Sequence, residues 1–431
     1  MNKLFEFPLK MHVGVPCEAV VKINEKVKRG QCIAEPKMGL GAKIHSSVNG
    51  IVKNITKDEI IIKADEIQDS DYVKIKKSNS IADTVYEAGI VGAGGAGFPT
   101  YIKLKSNIPN GFIIANCIEC EPLLNHNITL IEKNPEIIIK GIKYAMEATK
   151  AKKAYIGIKA KNKKAIKALE NSLKDEENIE IKEFQDIYPM GEERALINGI
   201  LGTWLEPDEL PIKANSVVLN GETLANIAYA IDYCKPFIDK DISVSGKLKS
   251  GKDTKVFLKV PIGMKISDLI EKAGGIDGDY GEIIIGGPYT GKSYNLEDSI
   301  VTKTSGGAIV TMEIPKFKGN LGLLVCACGA NEDRLRDLAS KMESNVVKVL
   351  ECKNVNYIKN SLKCKTPGHC PGQAALVLQF KKAGAERILI SNCCDCTNTV
   401  MNCAPKLGLP VYHHTDHVFR TVNHKLTRRL E

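Results

Sequence analysis

Aromatic residues are scarce in this sequence. Phe, Trp and Tyr make up 6% of the 431 residues, and there is one tryptophan. Proteins that hold single-stranded nucleic acid stack the bases on aromatic side chains. The lysine-rich segments Lys152–Lys167 and Lys247–Lys259 contain almost no aromatics, so we interpret them as solvated faces of helices or strands. The net charge of +9 is mild for this length, and we predict no nucleic-acid partner.

Long apolar runs are also missing. No uncharged stretch approaches the roughly eighteen residues that a membrane span needs. Residues 1–9 lack the apolar core and small residues of a secretory signal. These features predict a cytoplasmic protein without a membrane span. Disulfide frameworks are rare in that reducing compartment, where dense cysteines more often serve metal or redox chemistry.

The hydrophobic periodicity changes three times along the chain. Short β-prone runs broken by glycines fill residues 1–80, and strands alternate with helices over 81–240. Such alternation is typical of an α/β layer structure with a mostly parallel sheet. Residues 241–313 return to short strands with glycine turns and one helix, and the alternation resumes over 314–431. The sequence therefore predicts a multidomain α/β protein of four units.

A glycine-rich segment, residues 92–97 (Gly-Ala-Gly-Gly-Ala-Gly), satisfies the GxGxxG pattern. The dinucleotide-binding form of this pattern follows a strand and opens a helix. Here residues 81–90 predict a helix, and Pro99 would fall in the first turns of the next helix, where proline costs about 3 kcal/mol. We therefore do not expect an ordinary Rossmann loop. The alternatives are a plain turn, or a backbone loop that approaches a flat or phosphorylated ligand near Lys103 or Lys105.

Three polar clusters stand at predicted strand ends or helix starts of the same unit: Asn116–Pro122, Tyr188–Arg194 and Asn220–Thr223. Ligands of open α/β sheets bind outside the carboxyl ends of the strands, where these polar groups would be useful. Helix capping by Glu and Asn would explain each cluster taken alone. Cys117 and Cys120 in the first cluster are open to two interpretations, a redox pair or inert buried thiols.

Taken together, these motifs resemble those of the RnfC family and of the NADH-binding flavoprotein subunit of respiratory complex I. Gly89–Thr100 resembles their flavin loop, Asn116–Pro122 their second flavin motif, and Tyr188–Glu193 their Tyr-Pro-x-Gly-Glu-Glu motif. Residues 1–80 are similar to the family's N-terminal β barrel-sandwich hybrid. Residues 241–313 are similar to its β-grasp SLBB domain.

The resemblance implies a Rossmann-like α/β domain over residues 81–240 that binds FMN and meets NADH. Hydride transfer needs the nicotinamide stacked on the flavin, so side-chain-free backbone is suited to the floor of the site. The cofactor-binding residues implied by the resemblance are Gly92, Gly94, Gly95, Gly97, Lys103, Asn116, Glu119, Glu121, Gly191, Glu192, Glu193 and Asn220.

Cysteine is concentrated at the other end of the chain, where nine of the 14 cysteines fall between Cys326 and Cys403. Several follow predicted strands, and the carboxyl ends of parallel strands share one sheet edge, so these thiols can converge. An iron–sulfur cluster, structural zinc and thiol–disulfide exchange are the open alternatives for this Cys-rich small α/β domain. The candidate metal ligands are Cys364, Cys370, Cys393, Cys394, Cys396 and Cys403. The candidate redox-catalytic cysteines are Cys326, Cys328, Cys393, Cys394 and Cys396. Cys352 belongs to neither set.

Three histidines, His413, His414 and His417, follow these cysteines in the sequence. They add potential metal ligands to the C-terminal domain. For each of them, the favoured interpretation is a place in an exposed polar stripe at the end of a strand.

In length, domain order and cysteine-rich tail, the chain most resembles the RnfC-like electron-transfer proteins of D-proline reductase systems in Stickland-fermenting anaerobes. That resemblance implies electron flow from NADH through FMN and the tail thiols or cluster to a partner reductase. The sequence leaves open whether the chain forms a homo-oligomer. Two alternatives are an RnfC-like or cobalamin-reductase-like subunit of another complex, and a non-catalytic scaffold with structural zinc.

Overall fold

The computed structural model describes residues 3–359 and 361–427. Seven short strands form the N-terminal part: β1 (Leu4–Pro8), β2 (Glu18–Ala19), β3 (Lys26–Val27), β4 (Cys32–Glu35), β5 (Ile44–His45), β6 (Gly50–Ile55) and β7 (Glu59–Ala64). They pair antiparallel in two sheets, of order β1-β7-β6-β3 and β2-β4-β5. Burial alternates along β7, where Ile60, Ile62 and Ala64 face the interior, because successive side chains of a strand point to opposite faces.

The next part is an α/β layer structure. Its four strands are β8 (Phe112–Asn116), β9 (Lys153–Lys159), β10 (Ile179–Phe184) and β11 (Ser216–Asn220). They are all parallel and lie in the order β10-β9-β8-β11. Its helices are α1 (Ile81–Glu87), α2 (Thr100–Leu104), α3 (His126–Lys133), α4 (Pro135–Thr149), α5 (Lys163–Ser172), α6 (Glu193–Leu201) and α7 (Gly221–Tyr233). A short 3-10 turn over Pro211–Ala214 precedes β11.

Helix α4 shows why the sequence folds this way. Pro135 occupies its first turn, where a missing N–H costs nothing and the fixed φ favours the helix. Ile138, Ile142 and Ala145, spaced at helical intervals, are fully buried. The helix ends at Lys150, whose φ of 61° lies in the left-handed region.

A mixed sheet follows. It contains β12 (Asp239–Gly246), β13 (Lys255–Pro261), β14 (Ile283–Ile285), β15 (Lys292–Tyr294) and β16 (Gly307–Val310), with α8 (Ile266–Lys272) as its helix. The strand order is β13-β12-β16-β14-β15, with β12 and β16 parallel and the other neighbours antiparallel. Five strands and one helix are the elements that a β-grasp unit requires, and the SLBB assignment stays a prediction.

The C-terminal part has a second parallel sheet. Its elements are β17 (Asn320–Val325), α9 (Glu332–Lys341), β18 (Asn345–Glu351), β19 (Val355–Ile358), β20 (Ser361–Cys364), α10 (Ala374–Lys382), β21 (Arg387–Ile390), α11 (Cys394–Cys403), β22 (Val411–His413) and α12 (Asp416–Thr421). The order is β18-β17-β21-β22, and β19 with β20 forms a separate hairpin. One turn of 3-10 helix spans Pro405–Leu407.

One continuous core runs through the first three parts, from Phe5 to Val310. The C-terminal sheet has its own two clusters, one on each face. Among the residues that the structure describes, every helix is too short or too polar to span a bilayer.

The structure corrects one expectation about the C-terminal histidines. His413, His414 and His417 are all buried, not part of an exposed stripe. His414 Nε2 lies 3.1 Å from Tyr289 O, and His417 Nε2 lies 2.8 Å from Glu282 Oε1. The interpretation was wrong because this segment packs against the mixed sheet, a contact between distant parts of the chain that local polarity does not reveal.

Candidate functional site

The glycine loop connects α1 to α2 and is held at the carboxyl end of β11. The N–H of Ala93 donates to Thr223 Oγ1 at 3.0 Å. A Cβ placed on Gly94 would lie 3.1 Å from Asn220 Nδ2, so a side chain at Gly94 would crowd Asn220. Because Asn220 ends β11 and Thr223 lies in the first turn of α7, the loop sits where ligands of an α/β sheet bind.

The tip of the loop presents bare backbone. Gly95 has a φ of 102°, which favours glycine, and no atom lies within 4 Å of the position its Cβ would take. The N–H groups of residues 94–96 are exposed and have no hydrogen-bond partner among the described residues. Gly97 anchors the far side, where its carbonyl accepts from the N–H of Val13 at 2.9 Å. Free N–H groups beside an open glycine surface fit the expected flavin, whose ring is flat and whose phosphate is anionic.

Two of the sequence motifs meet beside this loop. Lys103 Nζ donates to Glu193 Oε1 at 3.1 Å and to the carbonyl of Val218 at 2.9 Å. Asn116 Nδ2 donates to the carbonyl of Gly191 at 2.9 Å. The structure thus brings together residues that stand up to 115 positions apart in the sequence.

Two other predicted cofactor residues serve as helix caps. Glu192 accepts from the N–H groups of Arg194 at 2.9 Å and Ala195 at 3.0 Å, at the start of α6. Asn220 Oδ1 accepts from the N–H groups of Glu222 at 3.0 Å and Thr223 at 3.4 Å, at the start of α7. Each cap satisfies helix N–H groups that have no partner within the helix.

Glu119 is half-buried, with polar neighbours from α3. It accepts from Asn127 Nδ2 at 2.9 Å, and His126 Nε2 lies 4.0 Å from the same carboxylate oxygen. Burial raises the pKa of Glu119 to about 7, and burial holds the pKa of His126 well below its usual value. Glu119 is therefore able to change protonation near neutral pH.

Glu121 connects the α/β part to the mixed sheet. Its carboxylate accepts from the N–H groups of Tyr289 at 2.8 Å and Thr290 at 2.9 Å, and from the Thr290 hydroxyl at 2.6 Å. Gly287 makes this approach possible, since a Cβ there would lie 2.3 Å from the Glu121 side chain. The structure therefore gives Glu121 a docking contact between two parts of the molecule.

A cleft of about 820 Å³ opens at the carboxyl edge of the α/β sheet. It is lined on one side by Glu119 and Glu121 and on the other by residues of the C-terminal domain, among them Cys394. Lys159 and Lys161, at the end of β9, add positive charge to its wall. The cleft therefore lies where three parts of the molecule meet.

Two stacked tyrosines stand at this junction. The rings of Tyr188 and Tyr289 are 3.7 Å apart and nearly parallel, at 7°. The Tyr188 hydroxyl donates to the carbonyl of Cys328 at 2.5 Å, and its N–H donates to Cys394 Sγ at 3.4 Å. Burial raises the pKa of both tyrosines, so both are neutral at physiological pH. The motif Tyr188–Glu193 thus contacts both the glycine-loop site and the cysteines.

Six thiols converge beyond these tyrosines, and we call them the thiol cluster. Five form a ring of side-chain contacts in the order Cys326, Cys328, Cys393, Cys396, Cys352 and back to Cys326, and Cys364 contacts Cys328. They come from the ends of β17, β18 and β21, from β20, and from the first turn of α11. The expected convergence at the sheet edge is present in the structure.

The pKa shifts of the thiols in the cluster run in opposite directions. The hydrogen bond from Cys326 lowers the pKa of Cys352, and that from Cys328 lowers the pKa of Cys393. Contacts with Cys352 and Cys393 raise the pKa of Cys396. Over residues 3–359 and 361–427, no group of three or more Cys, His, Asp or Glu side chains is arranged to hold a metal ion.

Three of the candidate cysteines are not members of the thiol cluster, although Cys394 and Cys370 pack against its side chains. Cys394 lines the cleft, and burial raises its pKa. Cys370 Sγ accepts from the N–H of Gly372 at 3.4 Å, and Cys403 Sγ donates to the carbonyl of Thr399 at 3.3 Å within α11. Within the described part of the chain, none of the three makes a thiol contact of the kind that joins the members of the cluster.

Cys117 and Cys120 occupy a buried place beside the flavin motifs. Cys117 is 1% exposed, and Cys120 Sγ accepts from the N–H of Gly191 at 3.3 Å. Burial raises the pKa of each thiol to about 12. Both are free thiols that stay protonated at neutral pH, and this favours the inert interpretation.

Sequence reasoning gave no role to three residues of the cluster and its surroundings. Cys352 belongs to the ring, although its spacing isolates it in the sequence. Gln373 is fully buried and donates from Nε2 to Cys352 Sγ at 3.2 Å. Arg194 donates to the carbonyl of Cys364 at 2.6 Å. The signal that would have found Cys352 is its place directly after a predicted strand, like Cys326.

Comparison with known proteins bears on the N-terminal part of the chain and on the α/β part that follows it. Residues 1–77 match the family described as the RnfC barrel sandwich hybrid domain, and residues 85–229 match the Nuo51 FMN-binding domain. A subunit of the Na(+)-translocating ferredoxin:NAD(+) oxidoreductase complex of Acetobacterium woodii is 30% identical over 331 residues, which cover 72% of this chain and 74% of that relative.

Other relatives are more distant or match in part. A subunit of the proton-translocating ferredoxin:NAD(+) oxidoreductase complex of Clostridium ljungdahlii is 29% identical, with 72% of this chain and 70% of that relative covered. Cobalamin reductase PduS of Salmonella typhimurium is 35% identical over 54% of this chain, which spans half the length of that relative. A solved NAD+-reducing [NiFe]-hydrogenase is 24% identical over 54% of this chain and 46% of its own, with a TM-score of 0.46, too low to carry an argument.

The glycine-loop site and these matches define the class: this is an electron-transfer flavoprotein of the RnfC/NuoF/PduS type. The chain belongs to the RnfC family, with an RnfC-type barrel-sandwich domain followed by a Nuo51-type FMN-binding domain. The predicted multidomain α/β architecture, barrel-sandwich domain and FMN-binding domain are thereby confirmed.

Proposed function

We propose that NADH reduces FMN held at the glycine loop, and that the electrons leave through the thiol cluster to a partner reductase. The main support for this proposal is that one segment, Tyr188–Glu193, contacts both the glycine-loop site and the thiol cluster. Gly191 and Glu193 contact Asn116 and Lys103 beside the glycine loop, whereas Tyr188 donates to the carbonyl of Cys328 in the cluster. A single segment of six residues thus joins the electron entry to the exit.

The chain's own residues position the cofactor. The free N–H groups of residues 94–96 bind the flavin, and Lys103 supplies the positive charge for its anionic part. Bound FMN supplies hydride acceptance and release of electrons singly or in pairs. Glu119, with its pKa near 7, is placed to hold or release a proton at the wall of the cleft.

For the partner we propose D-proline reductase, in the cytoplasm of a Stickland-fermenting cell. The support is the cysteine-rich tail, which resembles that of the proline reductase-associated proteins. The relatives from ferredoxin:NAD(+) oxidoreductase complexes are named as subunits of multi-subunit assemblies, which favours a protein partner here. Anaerobic mixing with purified D-proline reductase tests this, and failure to reduce it would contradict the assignment.

The test of the electron route separates entry from exit. We expect the anaerobically purified protein to bind FMN saturably and to pass electrons from NADH to a dye. Cys396→Ser should abolish reduction of the partner and leave NADH-to-dye activity unchanged, because Cys396 belongs to the cluster and not to the flavin site. Cys403→Ser is the matched control, since Cys403 lies outside the cluster.

Two results would contradict the proposal. Without saturable FMN binding the entry site is wrong, and a non-catalytic scaffold then gains support. Unchanged partner reduction in Cys396→Ser would remove the thiol cluster from the route. Four thiolates suffice for an iron–sulfur cluster, so iron and zinc analysis of the same sample distinguishes a metal-carrying exit from a dithiol exit.

A further inference from the structure

Cys326 and Cys352 occupy facing positions on two neighbouring parallel strands. Val325 pairs with Glu351 as the last residues of β17 and β18, and each cysteine follows directly. The N–H of Cys352 donates to the carbonyl of Val325 at 2.9 Å, so the ladder continues to the cysteines. Neighbouring strands lie about 4.8 Å apart, within the usual Cα separation of about 4.4–6.8 Å for a disulfide.

The two thiols are also in contact and enclosed. The Cys326 and Cys352 side chains pack in the same buried cluster and contact each other, and the residues are 2% and 3% exposed. Facing residues of neighbouring strands project to the same side of a sheet, so the Cβ atoms of the two cysteines point the same way. The strand pairing therefore places the two cysteines side by side on one face of the sheet edge.

A second pair touches the first. Cys393 immediately precedes α11, and Cys396 lies in its first turn, so the two form a Cys-x-x-Cys motif at the helix start. Their thiols contact each other, and Cys396 also contacts Cys352. The three sulfur pairs 326–352, 352–396 and 393–396 are thus already in contact.

A buried amide sits between the two pairs. Gln373 Nε2 donates to Cys352 Sγ at 3.2 Å and to Cys396 Sγ at 3.5 Å. The Gln373 side chain is fully buried, and its Oε1 has no partner within the described residues. The amide nitrogen of Gln373 therefore holds the sulfurs of Cys352 and Cys396 in place, and a thiol–disulfide exchange between the two pairs would join these two sulfurs.

We infer that Cys326–Cys352 is a reversible disulfide that exchanges electrons with Cys393–Cys396 inside the thiol cluster. The inference rests on the proposed function for the source of its electrons, which is NADH. The Cys326–Cys352 bond is reduced by two electrons and two protons to give two thiols. These thiols then serve as the donor to the second pair.

Every step of the exchange uses a sulfur contact that the folded chain already holds. Cys352 Sγ attacks Cys396 Sγ of a Cys393–Cys396 disulfide; that bond breaks, and Cys393 leaves with the proton that Cys352 gave up. Cys326 Sγ then attacks Cys352 Sγ, the 352–396 bond breaks, and Cys396 takes the proton of Cys326. The first pair is oxidised and the second reduced by two electrons, which pass on to a two-electron acceptor of the partner.

The experiment uses the full chain in dithiothreitol redox buffers, with acid quenching, alkylation of free thiols and peptide mass mapping. We expect one linked peptide pair joining Cys326 to Cys352. About 30 mV above the midpoint potential, the disulfide should exceed the dithiol about tenfold, as a two-electron couple requires. Because the electrons come from dithiothreitol, this result is independent of whether NADH and FMN feed the cluster.

Cys326→Ser gives the most specific readout. Without the resolving thiol, oxidised protein should accumulate the 352–396 link, and Gln373→Leu should shift the midpoint of the first pair. Cys403→Ser, outside the cluster, should leave both links and both midpoints unchanged. The inference is overturned if Cys326 and Cys352 are alkylated at every potential. It is equally overturned if stoichiometric iron or zinc is bound and is lost in Cys352→Ser.

Discussion

At the scale of single residues, Lys103 is the positively charged side chain that we expect to bind the ligand at the glycine loop. Its ammonium is held by Glu193 and by the carbonyl of Val218, so it stands beside the glycine loop at the end of β11. If Lys103 binds FMN as we propose, replacing it with methionine removes one charged hydrogen bond to the flavin, worth about 1.5–3 kcal/mol. We expect the dissociation constant of FMN to rise about 10- to 100-fold, as measured by calorimetric titration.

Lys105 offers the matched control two positions along. It pairs with Asp83 at 2.9 Å, and both side chains are about half exposed. Lys105→Met loses the same charge away from the loop and should bind FMN as the wild type does. Equal weakening in both variants would mean that Lys103 acts through net charge alone and does not contact the cofactor.

At the scale of elements, the turn after β14 joins the α/β part to the mixed sheet. Glu121 accepts three hydrogen bonds from Tyr289 and Thr290 in this turn. Glu121→Ala leaves the N–H of buried Tyr289 unpaired, which costs about 1–3 kcal/mol, whereas water can satisfy the two donors of exposed Thr290. We expect the free energy of unfolding to fall by at least this amount in urea denaturation, and the Tyr188–Tyr289 stack to loosen.

Asp253 provides the control variant for Glu121→Ala. It lines the same cleft but is exposed. Asp253→Ala removes a negative charge of the cleft without removing an anchor, so its stability should stay within about 0.5 kcal/mol of the wild type. An equal loss in both variants would show that cleft charge, and not the turn, is responsible.

At the scale of the whole molecule, one carboxylate attaches the C-terminal domain to the mixed sheet. Glu282 accepts from Lys341 at 2.9 Å, from His417 at 2.8 Å and from both Nη atoms of Arg334. Burial alone would raise the pKa of Glu282, but hydrogen bonds from His417 and Arg334 hold it far below its usual range. The carboxylate is therefore charged in the folded protein at every ordinary pH.

This arrangement predicts a pH dependence of definite sign. A carboxyl whose pKa is lowered by folding contributes stability above its unfolded pKa of 4.5, and that stability is lost as the pH falls below it. Breaking a buried ion pair costs about 3–5 kcal/mol. We expect Glu282→Gln to lose about this much at pH 7 and to show a weaker dependence on acid, measured by denaturation over pH 3–7.

The control for this prediction is an exposed ion pair of the same charge. Glu343 pairs with Lys316 at 2.9 Å and Lys318 at 3.3 Å on the surface of the C-terminal domain. Glu343→Gln should leave the unfolding transition unchanged, since solvent screens such pairs. A wild-type stability that does not change below pH 4.5 would contradict the role given to Glu282.

Much of the fold follows from local pattern. The helix predicted over 81–90 is confirmed as α1, and Pro99 precedes α2 instead of interrupting it, as the argument against a Rossmann loop required. The C-terminal strands β17 and β21 can also be predicted from the sequence, because each is a short apolar run bounded by polar residues. Periodicity is a local property, so one sequence suffices to read it.

What the sequence alone determined is the order of the elements, the flavin motifs of residues 89–193 and the concentration of cysteines at one end. Only the tertiary structure decided which cysteines meet: Cys352 joins the cluster, whereas Cys370 and Cys403 do not. The reason is physical, since strand register and domain docking arise from burial between segments far apart in the chain. A position directly after a strand predicts that a cysteine lies at the sheet edge, but the spacing of cysteines does not say which of them meet there.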